Sequence, residues 1–315
     1  MINNRRVGLA AAVACVVALA YAPAGLPQDA APARGAVVRL TVTVTDKHGR
    51  YVSNLSKERI TVTDERSPVV LASFEPSEQP MSIGFVVDVA REGSDRLLAS
   101  LKSAVADFVR AGEGRHSYFV AGFDKEMYVG ADWASSPSEL AAGLDKLAGV
   151  KRSGRAALYD AVAAALAKVA AGPHPRRALV LVSDGRNDGS KLKREELFEA
   201  VRRSDALLYA AGVRRGGAEL FDASDHETLQ RLASLSGGVA VPIRSEVELR
   251  NFFERLSVEL GHQYALGFQP AAAPDGSWRR LGFKAKPLEF KRPGSSGVER
   301  VELTVRGREG YYHER

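Results

Sequence analysis

Two aspartates end apolar runs in this chain, and they are the residues best placed to do chemistry. Asp88 closes the run in MSIGFVVDVAREGS, residues 81–94, and Asp184 closes the run in ALVLVSDGRNDGS, residues 178–190. Ile83, Phe85, Val86 and Val87 are β-branched or aromatic and nearly continuous, the pattern of a strand buried on both faces. Two such strands deliver carboxylates to one edge of a sheet, and in open α/β sheets ligands sit outside the carboxyl ends of the strands. Acids held close together repel, so their pKa values rise unless a positive charge neutralises them.

Other chemistries find few matching residues. A haloacid-dehalogenase-like phosphatase also begins on an apolar strand ending in Asp, but it requires a second acid two residues later, where this chain has Ala90. The serine-hydrolase elbow G-x-S-x-G is absent, the GSSG at 294–297 having the wrong spacing, and no glycine-rich phosphate loop precedes a Lys-Ser or Lys-Thr. His48, His116, His174, His226, His262 and His313 are scattered without metal-ligand spacing.

The elements that must position the two acids follow from periodicity. From Met81 to about Leu260, strands alternate with helices, which implies a mostly parallel sheet covered on both faces. Helical spacing marks residues 95–109, SELAAGLDKLAG with Ser138 as its cap, AALYDAVAAALAKVAAG closed by Gly172, LKREELFEAVRRS, HETLQRLASLSGG stopped by two glycines, and SEVELRNFFERLSVELG. MYVGADW reads as an edge strand. Asp160, in ALYDAV, is placed to bond the polar loop from below.

Outside this region the rhythm is β. Val38, Leu40, Val42 and Val44 alternate with Arg39, Thr41, Thr43 and Thr45, a half-buried strand, and two or three short strands follow before residue 76. Forty residues cannot bury a core alone. After His262, QYALGF, WRRLGFKA and VERVELTV are strand-like again. The expected fold is therefore an α/β domain over residues 77–261, with a doubly wound, mostly parallel sheet, inserted in a small antiparallel β domain built from residues 36–76 and 262–315. Tyr311, Tyr312, Phe283 and Trp278 are expected to pack that β domain.

The first 24 residues read as a signal peptide. Arg5 and Arg6 precede an apolar run, Val7–Ala20, and small residues follow in ALAYAPAG, with cleavage after Ala20 or Ala24. The alternative is a retained anchor, although the run is short for a membrane span. Residues 25–35, rich in Pro and Ala, read as a linker. Cys15, the sole cysteine, lies inside the apolar run, and lipidation there is a minority reading. A cleaved chain has no thiol, which excludes disulfides, thiolate catalysis and Cys-based zinc sites. It keeps 42 basic and 38 acidic residues, net +4, and shows none of the basic stripes with aromatics that nucleic acid requires.

In their order along the chain, VTVTDKHGRYVSNLSKERITVTDE, FVVDVAREGS, GRAALYDAV, LVLVSDGRNDGS, QYALGFQP and GREGYY resemble the von Willebrand factor A domain, and more closely the VWFA-related family of exported bacterial proteins. The resemblance covers roughly residues 38 to 312. It implies a doubly wound sheet with a metal-ion-dependent adhesion site at its carboxyl edge, whose pattern is D-x-S-x-S in the first loop, a Thr in the second and an Asp in the third. Asp88 and Asp184 match that pattern. Ala90 and Glu92 replace the two serines, and Ala156 stands at the threonine position.

Magnesium and calcium need several oxygen ligands in fixed geometry. Three of the five expected side chains have lost their hydroxyls, so no cofactor is expected, magnesium or calcium being the alternative. Each loop carries an arginine, Arg91, Arg155 or Arg186, and one or more of these guanidiniums, Arg155 first, is expected to replace the metal charge; three solvated surface arginines are the competing reading. The function expected is that of an exported, non-enzymatic protein-binding module, acting in the periplasm, the cell envelope or outside. It would engage another protein or envelope component through Asp88, Arg91, Arg155, Asp184 and Arg186, with no integral membrane span after cleavage. The rival is a structural component of an envelope assembly that makes its contacts through the β domain, and a hydrolase is a distant third.

Overall fold

Eight residues with no exposed side chain, Met81–Asp88, form strand β5 at the centre of the molecule. The computed structural model describes residues 37–90, 93–213, 223–291 and 298–313. These fall within one compact unit, Gly35–Arg315. The segments expected to be a signal peptide and a linker, with Cys15, Arg91 and Glu92, lie outside the described residues.

Four strands precede β5: β1 (Val38–Asp46), β2 (Ile60–Asp64), β3 (Ser67–Pro68) and β4 (Leu71–Pro76). The α/β part then runs β5, α1 (Ser94–Ala111), β6 (Ser117–Phe123), β7 (Met127–Ala134), α2 (Pro137–Ala148), α3 (Leu158–Ala170), β8 (Arg176–Ser183), α4 (Arg194–Arg203), β9 (Leu207–Val213), α5 (Ala223–Ser236), β10 (Ala240–Ile243) and α6 (Glu246–Gly261). Six further strands end the chain: β11 (Gln263–Phe268), β12 (Trp278–Ala285), β13 (Leu288–Lys291), β14 (Val298–Val301), β15 (Leu303–Gly307) and β16 (Gly310–Tyr312).

The central sheet has the order β10-β9-β8-β5-β6-β7, all parallel except β7, which holds the edge position expected of MYVGADW and runs antiparallel. The middle stretches of β5, β6, β8 and β9 are apolar because both faces of the sheet are covered. Ile83, Phe85 and Val87 face a core shared with α1, α2 and α6. Val86 faces a second core shared with α3, α4 and α5. At Gly84 the sheet leaves no room for a side chain, since a Cβ would lie 2.2 Å from the Phe119 ring.

Strands from the two chain ends pair with one another. Two antiparallel sheets, β15-β1-β11-β4 and β16-β12-β2-β3, enclose a third core containing Val42, Val62, Tyr264, Phe268 and Tyr311, and β13 pairs with β14 alone. Phe283 packs against that core, while Tyr312 and Trp278 meet edge-on across β16 and β12.

Three details depart from the sequence reading. The α2 cap is Ser136, not Ser138: its hydroxyl accepts the Glu139 N–H at 3.3 Å in a capping box, because Pro137 takes the first helical position. VERVELTV is not one strand but splits at Glu302 into β14 and β15, in different sheets. Finally, Thr43 is buried on the nominally polar face of β1, since α6 covers that face and Glu259 accepts its hydroxyl.

Candidate functional site

Parallel pairing of β5 with β8 brings Asp88 and Asp184 to the same carboxyl rim, at the ends of neighbouring strands. Asp88 is fully buried. One of its oxygens accepts the Ala90 N–H at 3.0 Å and the other accepts the Ser183 hydroxyl at 3.2 Å, a bond that ties the two strand ends together. Asp184, 8% exposed, accepts the Arg186 N–H at 3.1 Å in a two-residue turn.

A third acid completes the rim. Asp124 follows β6 directly, is buried, and accepts the Ser153 N–H at 2.8 Å and the Tyr128 hydroxyl at 3.0 Å. Burial pushes its pKa up, but the hydrogen bonds from Ser153, Tyr128 and Glu126 outweigh it and hold the carboxyl below its ordinary value. The Asp124 carbonyl also accepts the Ala157 N–H at 2.6 Å, so this one residue anchors both ends of the loop that leads into α3. FVAGFD is an apolar strand ending in an acid, the same local signal that marks Asp88 and Asp184.

The loops after β8 and before α3 are clasped. Asp188 accepts the Ala156 N–H at 2.6 Å through its carboxylate, and its carbonyl receives the Arg155 guanidinium from Nη2 at 2.7 Å and Nε at 3.2 Å. Arg155 therefore reaches the rim through a backbone carbonyl and braces the loop. Ala156 is wholly buried and Arg186 is exposed. Ala157, the N-cap of α3, has no side chain to cap with, and Ser190 supplies the oxygen instead, accepting the N–H groups of Tyr159 at 2.9 Å and Asp160 at 3.2 Å. Asp160 in turn accepts the N–H groups of Lys191 and Leu192, each at 2.9 Å, bonding the loop from below.

Ala90 and Ala156 offer no side-chain oxygen, and each Asp88 oxygen already accepts a hydrogen bond. Among the described residues no group of three or more His, Cys, Asp or Glu is arranged to hold a metal ion.

No family model matches the chain, and no curated protein matches it. Solved structures do resemble it. The conserved hypothetical protein BatB from Bacteroides thetaiotaomicron aligns at TM-score 0.43 and 14% identity over 57% of this chain and 98% of its own. A von Willebrand factor type A protein from Catenulispora acidiphila aligns at TM-score 0.46 and 10% identity, over 88% of this chain and 74% of its own. The pilus adhesin SpaC from Lactobacillus rhamnosus GG aligns at TM-score 0.46 and 8% identity, over 84% of this chain but only 49% of the adhesin. These are likenesses of backbone arrangement and transfer no residue role.

Proposed function

We propose that this chain is an exported, non-enzymatic binding module of the von Willebrand factor A-related kind, which engages another protein or envelope component through the carboxyl rim of its central sheet without a metal ion. One observation carries the reading: the oxygens of Asp88, Asp124 and Asp188 accept the chain's own N–H and O–H groups, so the rim holds its shape by itself. A surface fixed in this way, with Arg186 exposed beside it, is pre-organised for a partner and loses little entropy on binding.

Two measurements test this. Calorimetric titration with magnesium, manganese and calcium should give no stoichiometric heat, and a one-to-one isotherm that disappears in Asp88→Ala would overturn the metal-free part. Capture from an envelope extract should survive EDTA and be lost with Arg155→Ala together with Arg186→Ala. Undiminished capture by that double variant would move the contact surface away from the rim, to the antiparallel sheets.

A further inference from the structure

At the opposite end of the central sheet, where β5, β8 and β9 begin, a cleft of about 980 Å³ separates those strands from the β1-β11-β4 layer. That volume falls at the upper end of the roughly 300–1,000 Å³ typical of small-molecule sites. Its walls carry four arginines, Arg39, Arg176, Arg177 and Arg308. The Nε–H groups of three of them, Arg176, Arg177 and Arg308, are buried and make no hydrogen bond.

Arg176 is the most constrained. Its terminal nitrogens donate to the carbonyls of Ser77 at 2.8 Å, Gln79 at 2.9 Å and Leu260 at 3.0 Å, and to the Gln263 side chain at 3.0 Å. All four acceptors are neutral, so the guanidinium is fixed in place without a counter-charge, and burial pulls its pKa down to about 10. Arg308 donates from Nη2 to the Arg202 carbonyl at 2.6 Å, and burial lowers its pKa too. Arg177 pairs with Asp205, which is exposed, as are the other acids of the cleft, Glu75 and Glu78. The acids and Arg39 thus lie toward solvent, while Arg176, Arg177 and Arg308 are partly buried in the walls. Arg308 also borders a hollow of about 240 Å³ shared with Arg202, Arg203 and His313, whose buried Nδ1 likewise makes no hydrogen bond.

Arg176 has only neutral acceptors, and guanidinium matches carboxylate and phosphate oxygens in both charge and shape. We propose that this cleft binds a small molecule carrying an oxyanion, a phosphate or a carboxylate, held by the positive charge that Arg176, Arg177 and Arg308 place in its walls. The site lies away from the rim and does not depend on the reading of the rim.

The test uses the full chain at constant ionic strength. Inorganic phosphate and citrate are titrated separately by calorimetry and by thermal unfolding, with chloride as the matched control. Saturable binding and a raised Tm are expected for at least one of the two, and which one responds separates a phosphate from a carboxylate ligand. Arg308→Gln and Arg177→Gln should each weaken that binding at least tenfold, while Arg250→Gln, on the exposed side of α6, should leave it unchanged. Circular dichroism checks folding, and Arg177→Gln decides the matter if Arg308→Gln does not fold. No saturable response to either anion, or an equal response in the arginine variants, would mean that these side chains only brace the seam and would overturn the proposal.

Discussion

His116 shows how one buried side chain sets a pH limit on this fold. Its Nδ1 accepts the Met81 N–H at 3.1 Å, so the ring is held neutral at the start of the central strand. Burial, followed by the nearby charges of Arg115, Arg176 and His174, pushes its pKa down from 6.5 to about 4. The unfolded chain therefore binds a proton between those values that the folded chain does not. This group's contribution to stability is complete above about pH 6.5 and falls as the pH drops toward 4, by on the order of 2 kcal/mol once solvent screening of the half-buried ring is allowed for. His116→Gln, which keeps an acceptor but cannot titrate there, should flatten urea-unfolding stability across that interval; an unchanged slope would assign the acid sensitivity elsewhere. Asp124 acts in the same pH direction, because a carboxyl held below its ordinary value loses its stabilising bonds as it protonates.

At the scale of the element, α3 depends on a residue from another loop. Its own N-cap is alanine, and the hydroxyl that satisfies its first N–H groups belongs to Ser190, about thirty residues away. Ser190→Ala should cost about 1 kcal/mol, the usual worth of an N-cap oxygen. Amide exchange should quicken in both the first turn of α3 and the loop after β8; faster exchange in the helix alone would mean that the two loops are not clasped. The acids at the ends of β5 and β8 were legible because an apolar run that stops on a charge is a local signal. The clasp was not, since nothing near Ala157 announces which distant side chain will reach it. Ser136 was legible in principle, as a proline at the first helical position points to the residue before it.

For the whole molecule, the joint between the central sheet and the antiparallel sheets is a buried polar knot around Glu259. Its carboxylate accepts the Tyr209 hydroxyl at 2.7 Å, the Arg306 guanidinium at 2.6 Å, the Tyr51 hydroxyl at 3.1 Å and the Thr43 hydroxyl at 3.3 Å. These donors come from β9, β15, β1 and the turn after β1, so one side chain on α6 joins the two ends of the chain to the middle. Burial, with Glu259 adjacent, holds the Tyr209 hydroxyl well above its ordinary pKa, so it remains a donor. Removing one partner of a buried ion pair costs about 3–5 kcal/mol, because the other charge is stranded, whereas an apolar pair of similar volume is often tolerated. Glu259→Ala should therefore destabilise strongly in chemical denaturation, and Glu259→Leu combined with Arg306→Met should recover much of the loss. Additive losses in the double variant would show that the knot is not a coupled unit. No described helix is long and apolar enough to cross a membrane.

What the sequence determined by itself was whatever its periodicity encodes: the alternation of strands and helices, the apolar strands ending in Asp88 and Asp184, and the β character of both chain ends. Each depends on neighbours a few residues apart, which the chain carries wherever it folds. Tertiary structure alone decided that Thr43 is buried, that VERVELTV divides between sheets, that Arg155 binds a carbonyl, and that Arg176, Arg177 and Arg308 meet in one cleft. The burial of a polar group depends on what packs over it, and here the covering segments lie tens to hundreds of residues away along the chain.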